Sequence, residues 1–207
     1  MQAKVVEHAL AQHHLSIVRD RQSSPPQFRH SLTQLSMLVA CEATAHLELH
    51  EVRVQTPLTT TVTHRLAKSI GLVPILRAGI VMVDPVLQLI PEAEVWHLGL
   101  YRDESTARPV PYYNKLPAGS PVDIALVLDP MLATGGSACM ALESMQSWGA
   151  GQTVLISVIA APEGIERVTM QYPGTPIYTC AVDEKLDDNK FIVPGLGDAG
   201  DRVFNTL

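Results

Sequence analysis

The sequence predicts an α/β fold: a mostly parallel, twisted sheet flanked by helices, entered through an N-terminal helical arm. Two observations lead there. Short, near-continuous apolar runs (GLVPIL at 71–76, VDIALVLD at 122–129, TVLISVIAA at 153–161, PIYTCAV at 176–182) alternate with segments of helical period. Strands buried on both faces read in this way, and a parallel sheet needs its helices as crossovers. Ahead of these runs, most of residues 1–50 carries helical patterning.

Taken in order, HALAQHHLSIVRD forms the first helix, with His8, His13 and His14 at polar positions. DRQSSPPQF (20–28) is expected to be a loop, since Pro25-Pro26 cannot continue a helix interior. From Gln27 to about Leu49, the spacing of Leu32, Leu35, Val39 and Ala43 predicts a second helix. EVRVQTPLTTTVTHRL alternates and is rich in Val and Thr, which predicts a hairpin. GLVPIL is the first core strand, followed by RAG and an apolar helix to about Ile90. EVWHLGLY is a further strand, and the polar stretch 103–117, too long for a plain connection, reads as a lid. After VDIALVLD comes a loop, then a helix whose Ala138, Ala141, Leu142, Met145 and Trp148 share a face. TVLISVIAA, PEGIERVTMQY and PIYTCAV follow as strand, helix and strand.

The chain of 207 residues suits a single domain, and 46% apolar with 17% charged residues is a globular composition. A net charge of −6 argues against a broad nucleic-acid-binding face. Cys41, Cys139 and Cys180 are odd in number and form no CxxC, which suits a reducing compartment. The N-terminal stretch has no apolar signal region and no run is long enough to span a bilayer, so no membrane association and a cytoplasmic location are expected.

The chemistry concentrates in LVLDPMLATGGSACMA. Ligands of open α/β sheets bind beyond the carboxyl ends of the strands, and Asp129 is at such an end. The following loop can aim backbone N–H groups and a helix N-terminus at an anion, while Gly135 and Gly136 let it approach and Thr134 and Ser137 add hydroxyls. A phosphate beside a carboxylate suggests a sugar phosphate; a plain strand-to-helix turn capped by Ser137 is the alternative. Neither GxxxxGK[ST] nor GxGxxG occurs. Arg77, at a strand end before Ala-Gly, is placed to hold a diphosphate in bidentate fashion. Arg102 follows the next apolar strand. IVPGLGDAGDRVF (192–204) is a glycine-rich loop that exposes backbone donors and acceptors. Glu42, His46 and His50 have metal-compatible helical spacing, but HLELH is not HExxH and a solvated helix face is the reading. Cys139, near the helix N-terminus, reads as a packing residue.

DPMLATGGS resembles the phosphoribosyl-pyrophosphate (PRPP) loop of the uracil phosphoribosyltransferases, a branch of the type I phosphoribosyltransferases. Other type I enzymes usually carry two adjacent acids there, and Asp129-Pro130 is similar to the uracil branch. LVPILRAG, GLYRDESTARPVPYYNKLP, AAPEG and IVPGLGDAGDRVF are similar to further family segments in the same order, and HALAQHHLSIVRD and EATAHLEL resemble its N-terminal arm. The resemblance covers essentially the whole chain.

It implies a type I phosphoribosyltransferase-like core in one domain, 1–207, with an arm over 1–50, a β-hairpin lid over 103–117 and a uracil-binding hood over 183–204. It implies transfer of the 5-phosphoribosyl group from PRPP to N1 of uracil, giving UMP and diphosphate in pyrimidine salvage. PRPP is expected on Arg77, Arg102, Asp129, Pro130, Met131, Leu132, Ala133, Thr134, Gly135, Gly136, Ser137 and Asp198, and uracil on Ile192, Gly197, Asp198 and Ala199. Mg²⁺ is expected to arrive on PRPP, with no all-protein metal site. No residue presents itself as a dedicated general base. A homo-oligomer, dimer or tetramer, is expected, with GTP a candidate activator.

The chain departs from the family at Val81, Pro85, Lys190 and Asn205, where glycine is usual, and at Phe191, where tyrosine is usual. DDNKFIV thereby replaces NDHGYIV just before the uracil loop. Two other readings are a pyrimidine-responsive RNA-binding regulator on the same fold, which the acidic balance disfavours, and a purine phosphoribosyltransferase, which Asp129-Pro130 disfavours.

Overall fold

The structure, a computed structural model, describes residues 3–102 and 109–206. In chain order the elements are β1 (Lys4–Val5), α1 (Ala9–Arg19), α2 (Pro25–Thr44), β2 (Leu49–Gln55), β3 (Thr60–Leu66), β4 (Ile70–Leu76), a 3-10 turn (Ala78–Met82), α3 (Val83–Leu89), β5 (Glu94–Val95), β6 (Leu98–Arg102) and β7 (Pro109–Asn114). Then follow β8 (Ile124–Leu128), β9 (Met131–Leu132), α4 (Gly136–Trp148), β10 (Gln152–Ile156), β11 (Ile159–Ala160), α5 (Pro162–Gln171), β12 (Ile177–Thr179), β13 (Ala181–Val182), β14 (Lys185–Leu186), β15 (Ile192–Val193) and α6 (Ala199–Phe204).

The central sheet runs β1-β12-β10-β8-β4-β6-β7, with β5 also on β4. Its pairings are parallel except β6 with β7, which form an antiparallel hairpin at one edge. Period-two alternation explains why the strands look uniformly apolar. In β8, Ile124, Leu126 and Leu128 join the core under α1, α2 and α3, while Ala125 and Val127 join the core under α4 and α5. In β4, Ile70 and Leu72 face the first core, and Val73 and Ile75 the second. Each strand therefore buries both of its faces.

Several expected elements have different bounds. Pro25 and Pro26 start α2 rather than precede it, because the first turn of a helix needs no intrahelical N–H. Gln27 Oε1 accepts from the Ser24 N–H at 2.9 Å and from its hydroxyl at 2.8 Å, fixing the helix entry. The helix ends at Thr44, short of Leu49. His46 therefore lies in a turn and His50 in β2, and their helical spacing has no helix to act on. The 3-10 turn precedes α3 where one continuous helix was expected.

The strands expected at 94–101, 153–161 and 176–182 are each split in two. One cause is Pro130. It has no N–H to donate, and its carbonyl takes both the Val158 and the Ile159 N–H, at 3.0 and 3.1 Å. Beyond that break, β9, β11 and β13 form a second small parallel sheet. Pro74 is tolerated in a central strand for a related reason. It falls between Gly71 and Leu72, which pair with β5, and Ile75 and Leu76, which pair with β6.

The β2–β3 hairpin forms as expected. The β6–β7 pair supplies a two-stranded base to the expected lid, whose residues 103–108 lie outside the described residues. Among the described residues no helix is long and apolar enough to cross a membrane.

Candidate active site

Three loops meet at the carboxyl ends of β4 and β8. The first begins at Arg77, immediately after β4. Its sharp turn onto the sheet requires Gly79, because a Cβ there would lie 2.3 Å from the Leu128 carbonyl oxygen. That contact ties the Arg77 loop to the last residue of β8. The Arg77 side chain is 61% exposed, and its Nη2 donates to Asp201 Oδ1 at 3.3 Å.

The second loop follows β8. Asp129, Met131, Leu132, Ala133, Thr134, Gly135, Gly136, Ser137 and Ala138 line a cavity of about 70 Å³. Pro130 does not line it; it is buried and holds the small sheet from behind. Gly135 and Gly136, alike in the sequence reading, are distinct in the structure. Gly135 has φ 73° and is the N-cap of α4, and a Cβ there would lie 2.9 Å from the Gly164 carbonyl oxygen. Gly136 is the first helical residue, and its N–H donates to Thr134 Oγ1 at 3.4 Å. Ser137 lies inside the helix, so the cap is glycine rather than serine. The first-turn N–H groups have no intrahelical acceptor, and they border a hole that suits one tetrahedral oxyanion.

Asp129 sits at the mouth of this cradle, with Oδ1 accepting from the Met131 N–H at 3.3 Å. Burial pushes its carboxyl up to about 7, the Met131 N–H opposes that rise, and the negative charge of Asp198 adds to it. Asp129 is thus a carboxylate poised to gain from a hydroxyl or a cation.

The third loop lies between β15 and α6. Ile192 is buried in β15, Gly197 has φ 79°, Asp198 is the N-cap of α6, and Ala199 is its first residue. Asp198 Oδ1 accepts from the Asp201 N–H at 2.9 Å, so Asp198 is held by its own helix while its charge reaches Asp129. Arg102 closes β6, and its side chain lies outside the described residues.

The sequence reading missed several side chains that hold these loops. Arg167 of α5 donates to the Thr134 carbonyl at 3.4 Å and packs against Gly135. Arg19, Asp183 and Arg202 grip the third loop from the N-terminal arm and the strand ends. Asp201 partners Arg77. The Arg19 and Asp201 contacts join residues far apart in sequence, and the Arg202 and Asp183 contacts, six and twelve residues apart, carry no local sequence pattern. Cys139 does not have the lowered thiol that a helix N-terminus can give. Burial raises it against a weaker opposing effect of Arg167. Cys180 is pushed up to about 12 by burial. Lys190 and Asn205 both adopt left-handed backbone, φ 68° and 55°, at positions where the family usually has glycine.

A mostly parallel sheet with a small cavity after β8, an arginine loop after β4 and a third loop beside them has the type I phosphoribosyltransferase fold. Adenine phosphoribosyltransferase from Rhodothermus marinus shares the fold, with TM-score 0.52 at 15% identity over 73% of this chain and 80% of that one. The family model for uracil phosphoribosyltransferase matches residues 5–206, and the chain belongs to that family. It is 52% identical over 205 residues to uracil phosphoribosyltransferase of Roseiflexus sp. (strain RS-1), covering 99% of each chain. It is 48% identical over 203 residues to that of Thermoanaerobacter sp. (strain X514), covering 98% of this chain and 97% of the relative. The structure of AQ2163 protein from Aquifex aeolicus superposes with TM-score 0.93 at 35% identity, covering 98% of each chain. Membership in this family leaves no place for the purine alternative.

Asp129 gives a prediction that needs no ligand. Its folded value of about 7 is above its ordinary 3.8, so the folded state holds the proton more tightly than the unfolded chain does. The stability this confers is fully present below the ordinary value and is lost as pH rises through the folded one. Asp129→Asn is therefore expected to gain stability relative to wild type as pH climbs from about 4 to about 7. Denaturant unfolding of both proteins across that window checks this; a constant difference contradicts it.

Proposed function

We propose that this chain transfers the 5-phosphoribosyl group from PRPP to N1 of uracil, giving UMP and diphosphate. The observation that supports this best is the convergence of the oxyanion-sized cradle at 133–138 with Asp129, whose carboxyl feels the charge of Asp198 in the third loop. In this reading the cradle takes the 5′-phosphate, Asp129 accepts from the ribose hydroxyls, and Arg77 neutralises the diphosphate. Exposed and loosely held by Asp201 at 3.3 Å, the Arg77 guanidinium is free to exchange that partner for an anion. Ile192, Gly197 and Ala199 present backbone groups to the edge of uracil, and Asp198 stands between base and ribose.

As diphosphate leaves, positive charge builds on the ribose ring, and the task of the site is to hold the leaving group and align the base. Magnesium is proposed to arrive with PRPP. Asp129 and Asp198 are the acidic oxygens of the site whose charges act on each other, the hard donors such an ion takes, and the ion would supply charge neutralisation of the diphosphate. Arg102, from the end of β6, is proposed to contact PRPP as well. The arm over 1–50, the lid over 103–117 and the hood over 183–204 are proposed as the parts that enclose the reaction. A homo-oligomer, activation by GTP and a cytoplasmic location are supported by the family resemblance alone.

A nucleobase panel with PRPP and Mg²⁺, scored for nucleotide product, tests the assignment. Uracil is expected to exceed cytosine by ~10⁴ in kcat/KM, because cytosine presents an amino group and a bare ring nitrogen where uracil presents a carbonyl and an N–H. Comparable rates with cytosine or a purine contradict it. Arg77→Ala is expected to lower kcat/KM for PRPP by about one to two decades, the loss of a charged contact worth about 1.5–3 kcal/mol. Unchanged kinetics would make Arg77 an ordinary surface residue.

A further inference from the structure

Residues 194–198, between β15 and α6, belong to no strand or helix. Their conformation rests on side chains from distant parts of the chain. The Gly195 N–H donates to Asp183 Oδ2 at 2.8 Å. The Gly195 carbonyl accepts from Arg19 Nη1 at 2.9 Å. Arg19 and Asp183 face each other fork to fork, Nη1 to Oδ2 at 2.8 Å and Nη2 to Oδ1 at 2.5 Å. The Asp183 side chain is only 3% exposed and the Arg19 side chain 27%, so the carboxylate is buried and its partner half-buried. Opposite, Arg202 donates to the Leu196 carbonyl at 2.8 Å, to the Asp20 carbonyl at 2.6 Å and to the Val18 carbonyl, with its guanidinium over the Phe28 ring.

We propose that Arg19 and Asp183 are positioning residues for the base, engaging both backbone polar groups of Gly195 and so fixing which groups of the loop remain to read uracil. This rests on the uracil reading of the same loop. With the Gly195 and Leu196 carbonyls occupied, the next groups along the loop are the Gly197 backbone and the first-turn N–H of Ala199, which has no intrahelical acceptor. Gly195 itself has no room for a side chain, since a Cβ there would lie 2.0 Å from the Ile192 carbonyl oxygen and its φ is 62°. Base selectivity that rests on backbone groups depends on their placement, because the wrong base is rejected by leaving polar groups unpaired. A planar guanidinium can satisfy a carboxylate and a carbonyl together, whereas a lysine ammonium is a single point charge on a flexible stem. Neither Arg19 nor Asp183 needs to touch the base; both act through Gly195.

A purely structural pair would hold the arm to the C-terminal segment and affect stability alone. The variants Arg19→Met, Arg19→Lys and the double variant Arg19→Met with Asp183→Leu separate the two roles. Each is assayed for Tm, for KM with uracil and with PRPP, and for the ratio of kcat/KM for uracil over cytosine. Arg19→Met is expected to raise KM for uracil about tenfold while KM for PRPP stays within about twofold, and to narrow the base ratio. Arg19→Lys is expected to be intermediate. The double variant leaves no orphaned buried charge, so its Tm is expected to recover while the uracil KM and base ratio do not. A stable double variant with wild-type uracil KM and base ratio overturns the proposal. So does an equal rise in both KM values. Failure of the wild type to form UMP from uracil and PRPP overturns the uracil reading itself and this inference with it, whereas normal wild-type turnover with indifferent variants overturns this inference alone.

Discussion

The register of β4 against β8, from Ile70 opposite Ile124 to Pro74 opposite Leu128, is the constraint on which the site depends. It ends β8 opposite Pro74, two residues before β4 ends at Leu76, so the loops that leave the two strands start on neighbouring strands at the same edge of the sheet. Gly79 then locks the first loop onto the Leu128 carbonyl, one residue before Asp129. A slip in this pairing would separate the arginine loop from the phosphate cradle and would move every buried side chain of β8 to the opposite face. Both faces of β8 are covered, by two distinct cores, and this makes the register expensive to change.

The charged groups that gather at the site are unevenly partnered. Burial and the charge of Asp198 make the Asp129 carboxyl hold a proton far more tightly than usual. Arg77 is exposed and loosely paired. Helix α4 points its first-turn N–H groups at a small hole bordered by Gly135 and Gly136. By contrast, Arg19, Asp183 and Arg202 are fully partnered, which suits groups that hold a shape rather than change state.

Much of the fold was legible in sequence because period reports burial directly. Leu32, Leu35 and Val39 marked α2, and Leu126 and Val127 marked a strand buried on both faces. The element ends were less legible. Pro25 and Pro26 were read as breakers when they are helix starters, and the interruption at Pro130 is invisible until the Val158 and Ile159 N–H groups are seen to need its carbonyl. The loop that lines the cavity after β8 is legible because Gly, Thr and Ser fall in one short run. The Arg19–Asp183 pair was not, since 164 residues separate its members and neither carries a local signal. Lys190 and Asn205 were noticed as departures from glycine, but only their backbone angles show why glycine is usual there.

The central claim is that the loop after β8 receives the sugar phosphate while the loop after β15 receives the base. A crystal structure with UMP bound tests it most directly. The account predicts the 5′-phosphate within hydrogen-bonding distance of the backbone N–H groups at 134–138, the ribose hydroxyls on Asp129, and the uracil edge against Ile192, Gly197 and Ala199. A phosphate bound elsewhere with the cradle empty, or a base turned away from the loop 192–199, would contradict it.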